Sequence, residues 1–223
     1  MAGNLDTVQT LVSDLHFKNP YIDSDAVGSP WTIMHTAAFY GRLNILQYIS
    51  QFLINKNPKS SAQTKYNGRT PLHHAAQKGH LAVVSFLLTF LRDKNPSDGH
   101  GMTPLHLAAR HGHYEVVNAI AVNLADKCPK AGLFWDNKTP LHSAAIGGHV
   151  GILKYFAGVV RKINPYDANG LTPMHLAAQE AQLEVLKFYL SNMTNKNPGQ
   201  KSEDAYKGRS PMHYAGKTNR FSF

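Results

Sequence analysis

The feature that most constrains this chain is a fixed interval between a histidine and a proline of a recurring pattern. The histidine ends a motif such as Thr103-Pro104-Leu105-His106, and the proline always follows it by 23 residues. One added residue would rotate a helix face by about 100°. The invariant part of the pattern must therefore be packed. The motif histidines are His35, His73, His106, His142, His175 and His213.

The interval from each proline to the next motif histidine varies between 10, 13 and 15 residues. Insertions cost little stability in a surface loop. We therefore predict that all the length variation lies in a projecting loop, called the finger below. The finger is where we expect the specificity of the array to lie.

The invariant part is typical of two short antiparallel helices. Thr103 is suited to cap the first helix, and Pro104 suits its first position. A turn is expected at Gly112-His113, and the next helix carries apolar residues at helical spacing. That helix should end before Asn-Pro, because proline disfavours a helical conformation in the residue before it. One pair of helices cannot bury its apolar face alone, whereas a stack of pairs can.

Together these motifs closely resemble the ankyrin repeat. The segment 101–120, "GMTPLHLAARHGHYEVVNAI", shows the Thr-Pro-Leu-His, Ala-Ala, Gly-His and Val-Val features in order. The resemblance implies an all-α solenoid of stacked helix-turn-helix units with projecting β-hairpin or loop fingers, in one elongated domain. It also implies that the motif histidines bond the backbone of neighbouring fingers. We expect full repeats at about 25–62, 63–98, 99–132, 133–166 and 167–202, with partial repeats at 1–24 and 203–223.

Several copies depart from the pattern. Asn137 stands where other copies have glycine, and asparagine tolerates positive φ. Gln182 replaces histidine at the turn between helices, and Lys-Asn-Pro replaces the glycine-containing helix end of the family. Because the pattern is cut at both ends, we expect a segment of a longer array. A small natural protein with frayed ends is the alternative.

The formal net charge of +9 favours acidic partners, which include acidic proteins, nucleic acid and anionic membranes. The single cysteine, Cys128, excludes an intrachain disulfide and fits a reducing compartment. The chain has no apolar run of membrane-spanning length and no secretory signal pattern at its start. We therefore expect an intracellular, cytoplasmic protein with no membrane insertion, and the nucleus stays open.

The histidines do not point to catalysis or metal binding. Six of the 13 are motif histidines and three lie at turns between helices, which leaves His16, His74, His100 and His111. His111 and His113 could approach one metal ion, but no cysteine or carboxylate lies nearby in the sequence. Motifs for nucleophilic or phosphate chemistry are missing. We predict no enzyme activity, no metal and no cofactor.

The resemblance implies that partners bind the finger ends and the exposed positions of the first helices. Arg69, Lys78, Arg110 and Trp135 form the middle of that surface, and we predict that they bind an acidic protein segment. Aromatic residues packed on the next finger, and basic residues facing solvent, are the alternatives. The predicted partner-binding residues are Trp31, Tyr40, Tyr66, Arg69, His74, Lys78, Met102, Arg110, His111, Trp135, Lys138 and Arg209.

We therefore expect a monomeric, non-catalytic scaffold for protein–protein interaction. One alternative is the non-catalytic arm of a larger enzyme, channel or effector. Another is a nucleic-acid-binding module that uses the positive charge, although no recognition helix or RNA-binding motif is visible. The irregular finger lengths argue against an array designed for stability alone.

Overall fold

The computed structural model of the chain describes residues 31–53, 56–60, 68–196, 198–199 and 208–217. The predicted partial repeat 1–24 and Tyr66 lie outside these ranges. Each helix in the described ranges is too short to cross a bilayer. The helices are α1 Ile33–Phe39, α2 Leu43–Ile49, α3 Pro71–Lys78, α4 Leu81–Phe90, α5 Pro104–His111, α6 Tyr114–Ala121, α7 Pro140–Gly147, α8 Val150–Val159, α9 Pro173–Gln179, α10 Leu183–Asn192 and α11 Pro211–Lys217.

The helices form two layers. The odd-numbered helices, which are the first helices of their repeats, pack side by side from α1 to α11. The even-numbered helices form the second layer from α2 to α10, and each also contacts the first helix of its own repeat. The core between the layers is built from fully buried residues such as Leu72, Leu105 and Val117. The predicted all-α solenoid of two-helix units is confirmed.

The fingers differ from the hairpins that the resemblance allowed. No β-strand lies in the described residues, so the described parts of the fingers are turns. The second helices end before Asn-Pro as predicted, with α4 ending at Phe90 and α10 at Asn192. At the former end Leu91 is already extended, with ψ 132°. Asn137 has φ of 53°, which confirms its predicted role in place of glycine.

A ladder of side-chain hydrogen bonds ties each turn between helices to the preceding repeat. His113 Nε2 donates to the carbonyl of Gln77 at 3.0 Å, near the end of α3. A Cβ at Gly79 would lie 2.4 Å from His113 Nδ1, so this position requires glycine for space as well as for its φ of 77°. Gln182 makes the same bond to Ile146 at 3.0 Å, which explains why it can replace histidine. The other members are His80 to Phe39 and His149 to Arg110.

Ala181 occupies a turn position where the corresponding turns have glycine, and this difference generates a prediction. It stands where Gly79, Gly112 and Gly148 stand, and it has φ of 57°. An L-residue loses about 1–2 kcal/mol in this left-handed region. We expect Ala181→Gly to raise the free energy of unfolding by about 1 kcal/mol, measured by urea denaturation. Gly148→Ala is the reciprocal control and should destabilise more, because its Cβ would lie 2.3 Å from Gln182 Oε1. A less stable Ala181→Gly protein would contradict this account.

Candidate functional site

Each described finger is closed at its base by one backbone hydrogen bond of constant position. The N–H of the residue two positions after the proline donates to the carbonyl just before the capping Thr or Ser, at 2.7–2.8 Å. In a short finger this bond joins Asp98 to Met102, and in a longer one Ala131 to Lys138. The base of the finger is therefore the same whatever the length of chain beyond it.

The same carbonyl accepts a second hydrogen bond from the preceding repeat. His73 Nε2 donates to Met102 O at 3.1 Å, and His106 Nε2 donates to Lys138 O at 3.0 Å. The backbone N–H of Thr70 donates to His73 Nδ1 at 3.0 Å, so Nδ1 is the acceptor and Nε2 carries the proton. Burial lowers the pKa of His73 to about 3 and that of His106 to about 4. His73 and His106 are thus neutral links between repeats. The remaining links are His35 to Arg69, His142 to Leu171 and His175 to Arg209.

The asparagine of Asn-Pro fixes the finger to the next helix. Asn95 Oδ1 accepts from the backbone N–H of Leu105 at 3.0 Å, which satisfies a free donor at the start of α5. Asn57 and Asn164 make the same bond at 3.2 and 3.1 Å. The sequence analysis treated Asn-Pro only as a helix stop and missed this role. Cys128 takes the Asn position, and burial raises the pKa of its thiol to about 11, so the thiol is not poised as a nucleophile.

Two of the basic residues predicted to bind a partner are already paired with carboxylates. Arg69 Nε lies 3.2 Å from Asp98 Oδ2, and its side chain is only 15% exposed. Lys138 Nζ lies 2.6 Å from Asp136 and 3.4 Å from Asp167, with 12% of its side chain exposed. In both cases the cation precedes a capping Thr and one carboxylate belongs to the next finger. These two charges join neighbouring fingers, and their role in binding a partner stays a prediction.

Asp98 and Asp167 are the residues that sequence reasoning missed here. One oxygen of Asp98 accepts the backbone N–H groups of His100 and Met102, both at 2.9 Å, while the other meets Arg69. Asp167 binds the N–H groups of its own turn in the same way. Both stand two residues after a proline and only in the shortest fingers. That shared position was a usable signal.

Two predicted contact residues are buried. Met102 is 1% exposed. His74 is fully buried beneath Trp31, with ring centroids 4.4 Å apart, and burial lowers its pKa to about 2. Both side chains therefore lie away from the exposed surface on which a partner was expected to bind, and Trp31 and Phe39 of the preceding repeat cover His74.

Exposed side chains of the candidate site gather at the tip of one longer finger. Leu133–Trp135 form a 3₁₀ turn, in which Leu133 is 78% and Phe134 is 83% exposed. The guanidinium of Arg110 lies 5.3 Å from the Trp135 ring centroid, and the rings of His100 and Phe134 lie 6.3 Å apart. We call His100, Arg110, Leu133, Phe134 and Trp135 the fingertip cluster. The sequence analysis selected Arg110 and Trp135 but not the two most exposed members.

The remaining predicted residues lie on the first helices or beside them. Lys78 is exposed with Nζ 4.4 Å from the Phe39 ring centroid, and Tyr40 is 59% exposed. His111 lies 3.4 Å from Gln77, and burial, His113, Arg110 and Lys78 lower its pKa, so it adds no cation at neutral pH. The side chains of Trp31 and Arg209 are partly exposed.

Comparison with protein-family models gives a match over most of the chain. The model described as "Ankyrin repeats (3 copies)" matches residues 1–95, 49–131 and 122–202. The three matches overlap and together extend over residues 1–202.

The pairing of Lys138 generates a stability prediction. Lys138→Met leaves the buried carboxylate of Asp167 without its cation, so we expect the free energy of unfolding to fall by about 2 kcal/mol. Lys187→Met removes an exposed pair to Glu184 at 2.7 Å and should change it by less than about 0.5 kcal/mol. Urea denaturation of both variants measures the difference. Equal effects would show that the Lys138 pair does not hold fingers together.

The low pKa values of these histidines predict that the folded protein loses stability in acid. Their folded pKa values are about 3 or 4 against an ordinary 6.5, so the unfolded chain binds more protons below pH 6.5. Stability should be full above about pH 6.5 and should fall as pH decreases. At about pH 5, the free energy of unfolding should be lower by about 2 kcal/mol for each of four histidines, which are His35, His73, His106 and His142. We expect the urea midpoint to drop steeply between about pH 7 and pH 5.

His106→Gln is the matched test of that mechanism. Glutamine can keep one donor and one acceptor but takes up no proton. The variant should be less stable than the parent at neutral pH, and the difference should narrow or reverse at about pH 5. A parallel pH dependence in the two proteins would contradict the role given to the ladder.

Proposed function

The chain belongs to the ankyrin repeat family, whose repeats are generally protein–protein interaction modules, and we propose that it is a scaffold that binds a protein partner through the fingertip cluster. The family is typically non-catalytic. We therefore propose that the chain contributes recognition rather than chemistry. The observation that carries the proposal is the exposure of Leu133 and Phe134, at 78% and 83%.

The apolar tip is well suited to act as an anchor. Large apolar side chains that enter a pocket of the partner supply most of the affinity in many interfaces. The tip is held in place, because Asp136 N–H donates to Leu133 O and Trp135 N–H to Gly132 O, both at 2.9 Å. A fixed tip loses little conformational freedom on binding. The extra residues of this finger thus present an anchor without moving its base.

The charge around the anchor favours an acidic segment of the partner. Arg110 lies over Trp135 within the cluster, and Lys78 is exposed on α3 in the preceding repeat. No carboxylate in the described part of the chain pairs with either residue, in contrast with Arg69 and Lys138. We propose that Phe134 enters a pocket of the partner and that carboxylates of the partner lie near Arg110 and Lys78. The proposed binding of an acidic segment therefore depends on Arg110 and Lys78 alone.

Selection from a random peptide library displayed against the whole chain tests this function. We expect enriched peptides with apolar and acidic residues, and Leu133→Asn with Phe134→Asn should weaken their binding by about 30-fold or more. Leu183→Asn with Leu190→Asn removes two exposed leucines of α10 and serves as the control, with binding unchanged. Peptides that bind parent and fingertip variant equally would overturn the proposal.

A further inference from the structure

Most of the net positive charge lies in five segments that join a second helix to the finger after it. Together the segments hold nine Lys or Arg residues and two Asp residues, a net charge of +7. The whole chain has 23 basic and 14 acidic residues, a net charge of +9. The rest of the chain is therefore nearly balanced. The segments are 51–59, 89–97, 122–130, 159–166 and 191–199, and we call them the basic edge.

The second layer of helices brings these segments together. Helices α2, α4, α6, α8 and α10 pack side by side in that order, so their C-terminal ends follow one another along one edge. Contacts between segments are direct, since Lys56 Nζ lies 5.0 Å from the ring centroid of Phe90 in the next repeat. Charges that are 33 to 38 residues apart in sequence thus become neighbours on one surface.

Part of this charge has a structural use. Lys94 donates to the carbonyl of Leu88, and Lys127 donates to Ala121 O at 2.9 Å. These ammonium groups satisfy carbonyls at the ends of α4 and α6 and complement the helix dipole. Arg92, Lys130 and Arg161 are among the exposed cations of the basic edge, and each belongs to a different segment.

Exposed apolar side chains lie among these cations. Phe52 is 55% exposed, Val122 is 61% exposed and Val159 is 46% exposed, and each belongs to a different segment of the basic edge. Basic residues mixed with exposed apolar ones suit the interface of an anionic bilayer, where the cations meet lipid headgroups and the apolar groups reach the acyl boundary. Nucleic acid would attract the cations but would provide no apolar environment for the aliphatic side chains.

We propose that the basic edge docks this protein on an anionic lipid bilayer. Arg92, Lys130 and Arg161 contact the headgroups, and Phe52, Val122 and Val159 enter the interface. The cytoplasmic leaflet of cell membranes carries such a negative charge. The edge belongs to the layer of second helices, whereas the proposed protein partner binds the fingertip cluster. The two proposals therefore stand on separate residues.

Sedimentation of the full chain with lipid vesicles tests the proposal. We expect binding to phosphatidylcholine vesicles that contain about one third phosphatidylserine, and little binding to phosphatidylcholine alone. Changing Arg92, Lys130 and Arg161 to Gln should weaken binding by roughly a hundredfold, because each basic residue near such a surface contributes about a factor of five. Circular dichroism and urea denaturation establish that each variant is folded.

A matched triple variant shows whether vesicle binding depends on the position of the cations or only on the total charge of the protein. Lys78→Gln, Arg110→Gln and Lys154→Gln remove the same charge from residues outside the basic edge, and they should weaken vesicle binding far less. They should instead weaken binding of peptides selected at the fingertip cluster, which keeps a failure of one proposal distinct from a failure of the other. No binding to the anionic vesicles, or equal loss in both triple variants, would overturn docking by the basic edge.

The apolar residues distinguish lipid from nucleic acid. Changing Phe52, Val122 and Val159 to Ser should weaken binding to the anionic vesicles by at least about tenfold and should leave binding to duplex DNA unchanged. If duplex DNA displaces the vesicles and the serine variant binds both as the parent does, the edge is a nucleic-acid surface and the lipid proposal is wrong.

Discussion

The structure depends on the carbonyl oxygen that precedes the capping threonine of the first helices α3, α5, α7 and α9. It accepts one hydrogen bond from the N–H that closes its own finger and another from the motif histidine of the preceding repeat. The histidine can donate only because its other ring nitrogen accepts from Thr, which fixes the neutral Nε2–H form. One oxygen thus couples a helix cap, a finger base and a neighbouring repeat, and no part of this unit tolerates an inserted residue.

This coupling explains where the chain is free to vary. The carbonyl, the Asn side chain and the turn ladder all lie below the finger tip, so their bonds are unchanged between fingers of different length. Residues added beyond the base alter only what is presented to a partner. In the finger after α6 they form a short turn that exposes Leu133 and Phe134. Rigid packing and variable recognition are thereby separated along the chain.

The helices, their ends and the invariant core could be predicted from the sequence because their determinants are local and repeat in phase. Thr-Pro begins a first helix, Asn-Pro follows a second helix, and Asn137 adopts positive φ as its position implies. Pairing between repeats could not be predicted in this way. Arg69 meets Asp98 across 29 residues, and the signal for this pair lies in the position of the aspartate in the next finger rather than in the spacing around the arginine. Burial of His74 likewise follows from Trp31 and Phe39 of the preceding repeat rather than from its own surroundings in sequence.

Net charge indicates a binding surface only when the pairing of each ionised group is known. The value of +9 first suggested an acidic partner on the finger side, yet Arg69 and Lys138 there are shielded and hold neighbouring fingers together. The unbalanced cations instead follow the second helices, where lysines complement helix ends and arginines extend outward. A lysine stabilises the end of α4 and of α6 in this way, and repetition of the unit builds a charged edge from such local effects. The same copying that gives the array a continuous core therefore also gives it a continuous electrostatic surface, on a layer separate from the fingers.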